Sequence, residues 1–141
     1  MNEDEMIARQ LLQLARRIKQ RRNLHIQDLN LTTVQGDALK YFFDHPNQTI
    51  AMFKDYQGIT HQTARVIVQH LVHLGIVTLA PNPKDGRSKL VVLTPLGFAK
   101  YGQLDKHGWQ TSEELFAGFT PEEQRQFLTL VRRANANLER K

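Results

Sequence analysis

The sequence predicts a mainly α fold with one small β-hairpin, and three observations carry that expectation. Apolar residues recur at spacings of three and four along most of the chain. Threonines with a proline, glutamine or glutamate close behind them mark several helix starts. Two short β-branched segments, Ile76–Leu79 and Leu90–Leu93, flank a turn built from Pro81, Asn82, Pro83, Asp85 and Gly86.

The first helix is expected over Glu3–Arg22, where Ile7, Leu11, Leu14 and Ile18 are spaced four, three and four. That spacing makes a seam for another helix, and acids at the start with bases at the end suit the helix dipole. Asn23–Leu31 shows no clear period and reads as a link. A second helix starts behind Thr32, where Gln35 can complete a capping box, and His45-Pro46-Asn47 stops it. Its apolar positions, Val34, Ala38, Leu39, Tyr41, Phe42 and Phe43, cover more than one stripe, as in a helix buried on two sides. Thr49–Tyr56 follows as a short helix with Ile50 and Phe53 facing inward, closed by Gly58.

The next helix opens at Thr60. Ala64, Ile67, Val68, Leu71 and Leu74 form its apolar face, which leaves His61, Gln62, Arg65, Gln69 and His70 on the other, and Gly75 ends it. Short helix, tight turn and longer polar-faced helix make a helix-turn-helix arrangement. The hairpin comes at once and brings Lys84, Arg87 and Lys89 to its tip, so the pair reads as a helix plus a wing. Thr94-Pro95 starts a fifth helix reaching to about Ala117, with Gly102 and Gly108 as weak points and Gly118 as its close. Thr120-Pro121-Glu122-Glu123 starts a sixth, with Phe127, Leu128, Val131, Ala134 and Leu138 on one side.

The 141 residues suit one domain with its own core, and the balance of 19 Lys and Arg against 14 Asp and Glu favours a polyanionic partner. Zero cysteines exclude disulfides, thiolate zinc sites and thiol redox switches. No apolar run approaches bilayer length, and an acidic, then helical N-terminus is unlike a signal peptide, so a cytoplasmic protein without membrane contact is expected. His70 and His73 have a chelating spacing, but no cysteine or nearby acid joins them, and no metal or other cofactor is expected. None of the phosphate-loop, zinc-protease or nucleophile-elbow patterns occurs, so no catalytic residues are assigned and an enzyme is not expected.

The polar face of the fourth helix has the chemistry of a base-reading surface. Gln62 and Gln69 can be bidentate to adenine and Arg65 to guanine, with His61 beside them. Thr60 and Thr63 suit capping and phosphate contact. Val66 either touches a thymine methyl or faces solvent. At the hairpin, Arg87 is placed to enter a minor groove between Lys84 and Lys89. The seam of Ile7, Leu11, Leu14 and Ile18 and the side carrying Phe127, Val131 and Leu138 leave too little chain to cover both, which calls for a homodimer. Trp109, Phe116, Phe119 and Phe127 read either as dimer core or as the lining of an effector pocket.

The stretch Asp85-Gly86-Arg87-Ser88-Lys89-Leu90-Val91-Val92-Leu93-Thr94-Pro95-Leu96-Gly97 resembles the wing pattern of the MarR family of bacterial winged-helix regulators, and Leu71-Val72-His73-Leu74-Gly75-Ile76-Val77 resembles its helix-to-strand junction. The resemblance implies a winged helix-turn-helix core at residues 31–94, flanked by dimerisation helices at 1–30 and 95–141. It also implies a homodimer on a palindromic double-stranded operator, and repression of nearby genes that a small-molecule effector relieves in some relatives. Asp85 would then hold Arg87 or the wing backbone rather than touch DNA. Val66 stands where many relatives carry a basic residue, and the missing cysteine excludes the thiol-oxidation branch. A winged-helix module that binds protein instead of DNA is the alternative.

Overall fold

The computed structural model describes residues 1–139. In chain order the elements are α1 (Glu3–Asp28), α2 (Thr33–Asp44), β1 (Gln48–Thr49), α3 (Ile50–Gln57), α4 (His61–His73), β2 (Val77–Pro81), β3 (Lys89–Leu93), α5 (Pro95–Leu115) and α6 (Pro121–Leu138). The mainly helical class is as expected. The sheet, however, has three antiparallel strands in the order β1-β3-β2, one more than the hairpin alone supplies.

Capping chemistry set most of the boundaries. Thr32 accepts from the Gln35 N–H at 3.1 Å while Gln35 Oε1 accepts from the Thr32 N–H at 3.0 Å, and Thr120 with Glu123 repeats the pair at 3.1 and 2.9 Å. Each box satisfies donors that a helix start leaves open. Thr49 caps α3 through the Met52 N–H, and Gly58 closes it in the left-handed region at φ +66°.

The first helix corrects the sequence reading. It continues past Arg22 to Asp28, through residues expected to form a link. Ile26 is the reason: it is 2% exposed and packs on Gly36 of α2, where an added methyl group would stand 2.9 Å from its Cδ1. An Arg22–Asp37 ion pair at 3.0 Å and a Thr33-to-Asn23 hydrogen bond fasten the same turns to α2. The periodicity was silent because Ile26 is the one buried residue of α1.

Around that anchor lies the core of the first unit, Met1–Gly108. Leu39, Phe42 and Phe53 are essentially inaccessible, with Ala64, Val68 and Leu71 of α4 and Val91 of β3 against them. Two apolar positions of α2 stand outside it, since Val34 and Phe43 are exposed. Phe43 instead stacks on Tyr101 of α5 with ring centres 3.6 Å apart. In α4, Leu74 is likewise exposed and serves as the C-cap, ahead of Gly75 at φ +76°.

Trp109–Lys141 form the second unit. Phe116, Phe119 and Phe127 meet edge to face there, with centroids 5.3–6.0 Å apart. Beside them lies an open groove of about 460 Å³, lined by Phe116 and Phe127 together with Pro121, Gln124, Arg125, Leu128 and Val131; neither Trp109 nor Phe119 lines it. Gly118, at φ +84°, makes the turn between α5 and α6.

Candidate nucleic-acid interface

Helix α4 presents two faces of opposite character. Ala64, Val68 and Leu71 are 0–1% exposed and seat it on the core, whereas His61, Gln62, Thr63, Arg65, Gln69 and His70 are exposed. The seating follows from the sequence spacing, since residues four and three apart share a side of a helix. Val66 lies among the exposed polar residues at 39% exposure, so its side chain belongs to the outward surface.

The helix start is tightly organised. Thr60 Oγ1 accepts from the Thr63 N–H at 3.1 Å and donates to the Thr63 hydroxyl at 2.9 Å. Gly58 turns the chain from α3, and the Gly58 and Ile59 N–H groups both reach the Lys54 carbonyl. The backbone N–H groups at the start of α4 and its dipole favour an anion there.

The wing is braced by its own side chains. Asn82 Oδ1 accepts from the Lys84 N–H and Asp85 Oδ1 from the Arg87 N–H, both at 3.0 Å. Asn82 Nδ2 donates to Ser88 Oγ at 3.1 Å, and that hydroxyl points on to Asp85 Oδ2 at 3.5 Å. Asp85 thus holds the backbone of residue 87, while its carboxylate makes no ion pair with the Arg87 guanidinium among the described residues. The sequence reading places Asn82 in the turn and Ser88 only within the wing pattern; the hydrogen bonds that these two side chains make across the loop brace the tip. β1 braces the other edge of β3, pairing Gln48 with Val91 and Thr49 with Leu90.

Beneath the wing, Thr94 ties the end of α4 to the start of α5. Its hydroxyl reaches the Gly75 and Ile76 carbonyls and accepts from the Gly97 N–H. Gly97 has no alternative residue that fits: a Cβ there would run into the Ile76 carbonyl oxygen. The Leu-Thr-x-x-Gly run at 93–97 is therefore a packing requirement of the wing base.

Charge separates this surface from the rest of the chain. Between Tyr56 and Leu104 the single acid is Asp85, against Arg65, Lys84, Arg87, Lys89 and Lys100. Among the described residues, Arg65, Lys84, Arg87 and Lys89 enter no ion pair and are exposed. Basic groups held without acidic partners on a rigid exposed edge suit a polyanion.

Residues 29–88, from the end of α1 to the wing, match the model of the MarR family. Over that stretch the chain is similar to the MarR family. It is similar over 134 residues to the uncharacterized HTH-type transcriptional regulator YybA of Bacillus subtilis (strain 168), at 25% identity, covering 95% of this chain and 89% of that one. Among solved structures, YusO from Bacillus subtilis superposes with a TM-score of 0.79 at 15% identity, over 99% of this chain and 100% of that one. A MarR regulator from Methanosarcina mazei Go1 gives 0.74 at 23%, over 94% and 96%. A mutant of S. aureus MepR bound to an oligodeoxyribonucleotide gives 0.72 at 18%, over 94% and 98%. These structural likenesses establish the winged-helix fold.

No helix of the described residues is long and apolar enough to cross a membrane. The described residues also hold no group of three or more His, Asp or Glu side chains arranged for a metal ion.

Proposed function

We propose that the protein is a cytoplasmic, homodimeric regulator that binds double-stranded DNA at a palindromic operator, with no catalytic activity. In this reading residues 31–94 are the DNA-binding core, and residues 1–30 and 95–141 supply the dimerisation helices. The observation that carries it is the pairing of an outward polar face on α4 with a braced basic wing that lacks ion-pair partners among the described residues. His61, Gln62, Arg65 and Gln69 would enter the major groove, Thr60 and Thr63 would meet phosphate, and Lys84, Arg87 and Lys89 would track the adjacent minor groove and backbone. Asp85 would act through the wing backbone. The DNA-bound MepR structure supports the assignment by likeness of fold.

The dimer is supported by apolar side chains left outside. Ile7, Leu11 and Ile18 are exposed on α1, Leu14 is half-buried, and α6 buries none of its residues although it carries Phe127, Val131 and Leu138. A two-fold assembly would cover them and space two reading helices for a palindrome. The groove beside Phe116 and Phe127 is a candidate place for a small effector that relieves repression of adjacent genes.

The test is footprinting on the DNA upstream of the protein's own gene, with binding measured across a salt series. A protected inverted repeat whose affinity falls steeply with salt is expected. Equal, weak binding to every sequence would favour a protein-binding module.

A further inference from the structure

The last turns of α1 and the middle of α5 meet through two histidines. The rings of His25 and His107 stack with centroids 3.9 Å apart and planes 8° from parallel. Each has its Nδ1 closed to solvent and without a hydrogen-bond partner among the described residues. Such a contact suits two neutral imidazoles. A proton added at either Nδ1 would find no acceptor, and a second would set two cations face to face at van der Waals distance.

We propose that the His25–His107 stack is a pH-sensitive latch that holds α1 on α5 while both rings are neutral and releases it on acidification. The neighbouring charges agree. On α1, Asp28 favours the imidazolium at His25 while Arg21 opposes it; from α5 the facing group is His107 itself. Lys100 of α5 is held by the Leu29 carbonyl at 3.0 Å, and Asp37 of α2 is engaged by Arg22. Of the side-chain types named here, histidine alone has an ordinary value between about pH 5 and 8. Burial first, then His107, keeps His25 below its ordinary value of 6.5. The folded chain consequently binds fewer protons than the unfolded one. The latch's contribution is complete above the unfolded value and is lost as the pH falls below it toward the lower folded value.

The latch sits where its release has consequences. His25 adjoins Ile26, the plug that seats α1 on α2, so loosening here frees the helix at its anchor. If the assembly proposed above holds, the seam of Ile7, Leu11 and Ile18 would move with it and acid would weaken the dimer as well.

The experiment compares the full chain with the variant carrying His25→Phe and His107→Phe, which keeps two stacked rings and removes both protons. The thermal midpoint of the wild type should fall by about 4 °C more than that of the variant between roughly pH 8 and pH 5. In the wild-type NMR titration, the ring signals of two of the six histidines should move together in coupled steps, with at least one step below the ordinary range. Parallel midpoint curves, or six independent titrations near the ordinary value, overturn the latch. Should the variant not fold, the titration alone decides. Light scattering at both pH values separates the consequence: a monomer throughout refutes the assembly, while the latch is still judged by melting and titration.

Discussion

Helices α4 and α6 obey the same sequence rule and end in opposite environments. Both carry apolar residues at spacings of three and four behind a threonine cap. Yet α4 sinks Ala64, Val68 and Leu71 to 1% exposure or less, whereas α6 buries nothing and leaves Leu128 and Leu138 at 48% and 81%. Helix α1 sides with α6, since of its 26 residues Ile26 alone is buried. An apolar stripe states that a face needs cover but not where the cover comes from. For α4 it comes from α2, α3 and the sheet of the same chain; for α1 and α6 a second copy is the proposed source.

The comparison breaks most visibly in the core. Phe53→Ala should cost about 3–5 kcal/mol, because a fully enclosed aromatic leaves a cavity that its neighbours fill poorly. Urea unfolding reads this directly, and a cost below about 1 kcal/mol would mean that the packing around Phe53 is loose. Leu11→Glu combined with Val131→Glu should do the reverse, leaving the winged-helix core folded while the scattering mass drops from two chains to one. Charges placed in an apolar interface are costly, whereas the same charges on an exposed face are tolerated. A variant that stays dimeric would place the interface elsewhere.

Smaller effects sharpen the outward face of α4. Gln62→Ala and Arg65→Ala should each weaken operator binding by ~1–3 kcal/mol more than random DNA, the worth of a bidentate base contact. Equal losses on both DNAs would assign these side chains to phosphate. At the wing, Arg87→Ala should lower affinity on all sequences and flatten the salt slope by about one, while the unfolding free energy stays within roughly 0.5 kcal/mol of wild type. Arg87→Lys should recover part of the binding, since the charge remains but the planar fork is lost. Unchanged binding by Arg87→Ala at every salt concentration would remove the wing from the interface.

Local chemistry was legible in the residues themselves. The boxes at Thr32–Gln35 and Thr120–Glu123, the caps at Thr49 and Thr60, the turn at Gly58 and the division of α4 into two faces all depend on hydrogen bonds and periodicities within a few positions. So did the hairpin, whose proline, asparagine and Asp-Gly turn chemistry needs no distant partner. What the sequence left open depends on contacts between remote positions. α1 runs to Asp28 because Ile26 meets Gly36 and because Lys100, 71 residues away, takes the Leu29 carbonyl. β1 is a strand of two residues, too short for any period, and exists because β3 offers it a free edge. The obligatory glycine at 97 and the facing of His25 on His107 are likewise decided only when α5 is laid against the end of α4 and the end of α1. A chain can specify a cap with three residues, but a close approach between helices is a property of their packing.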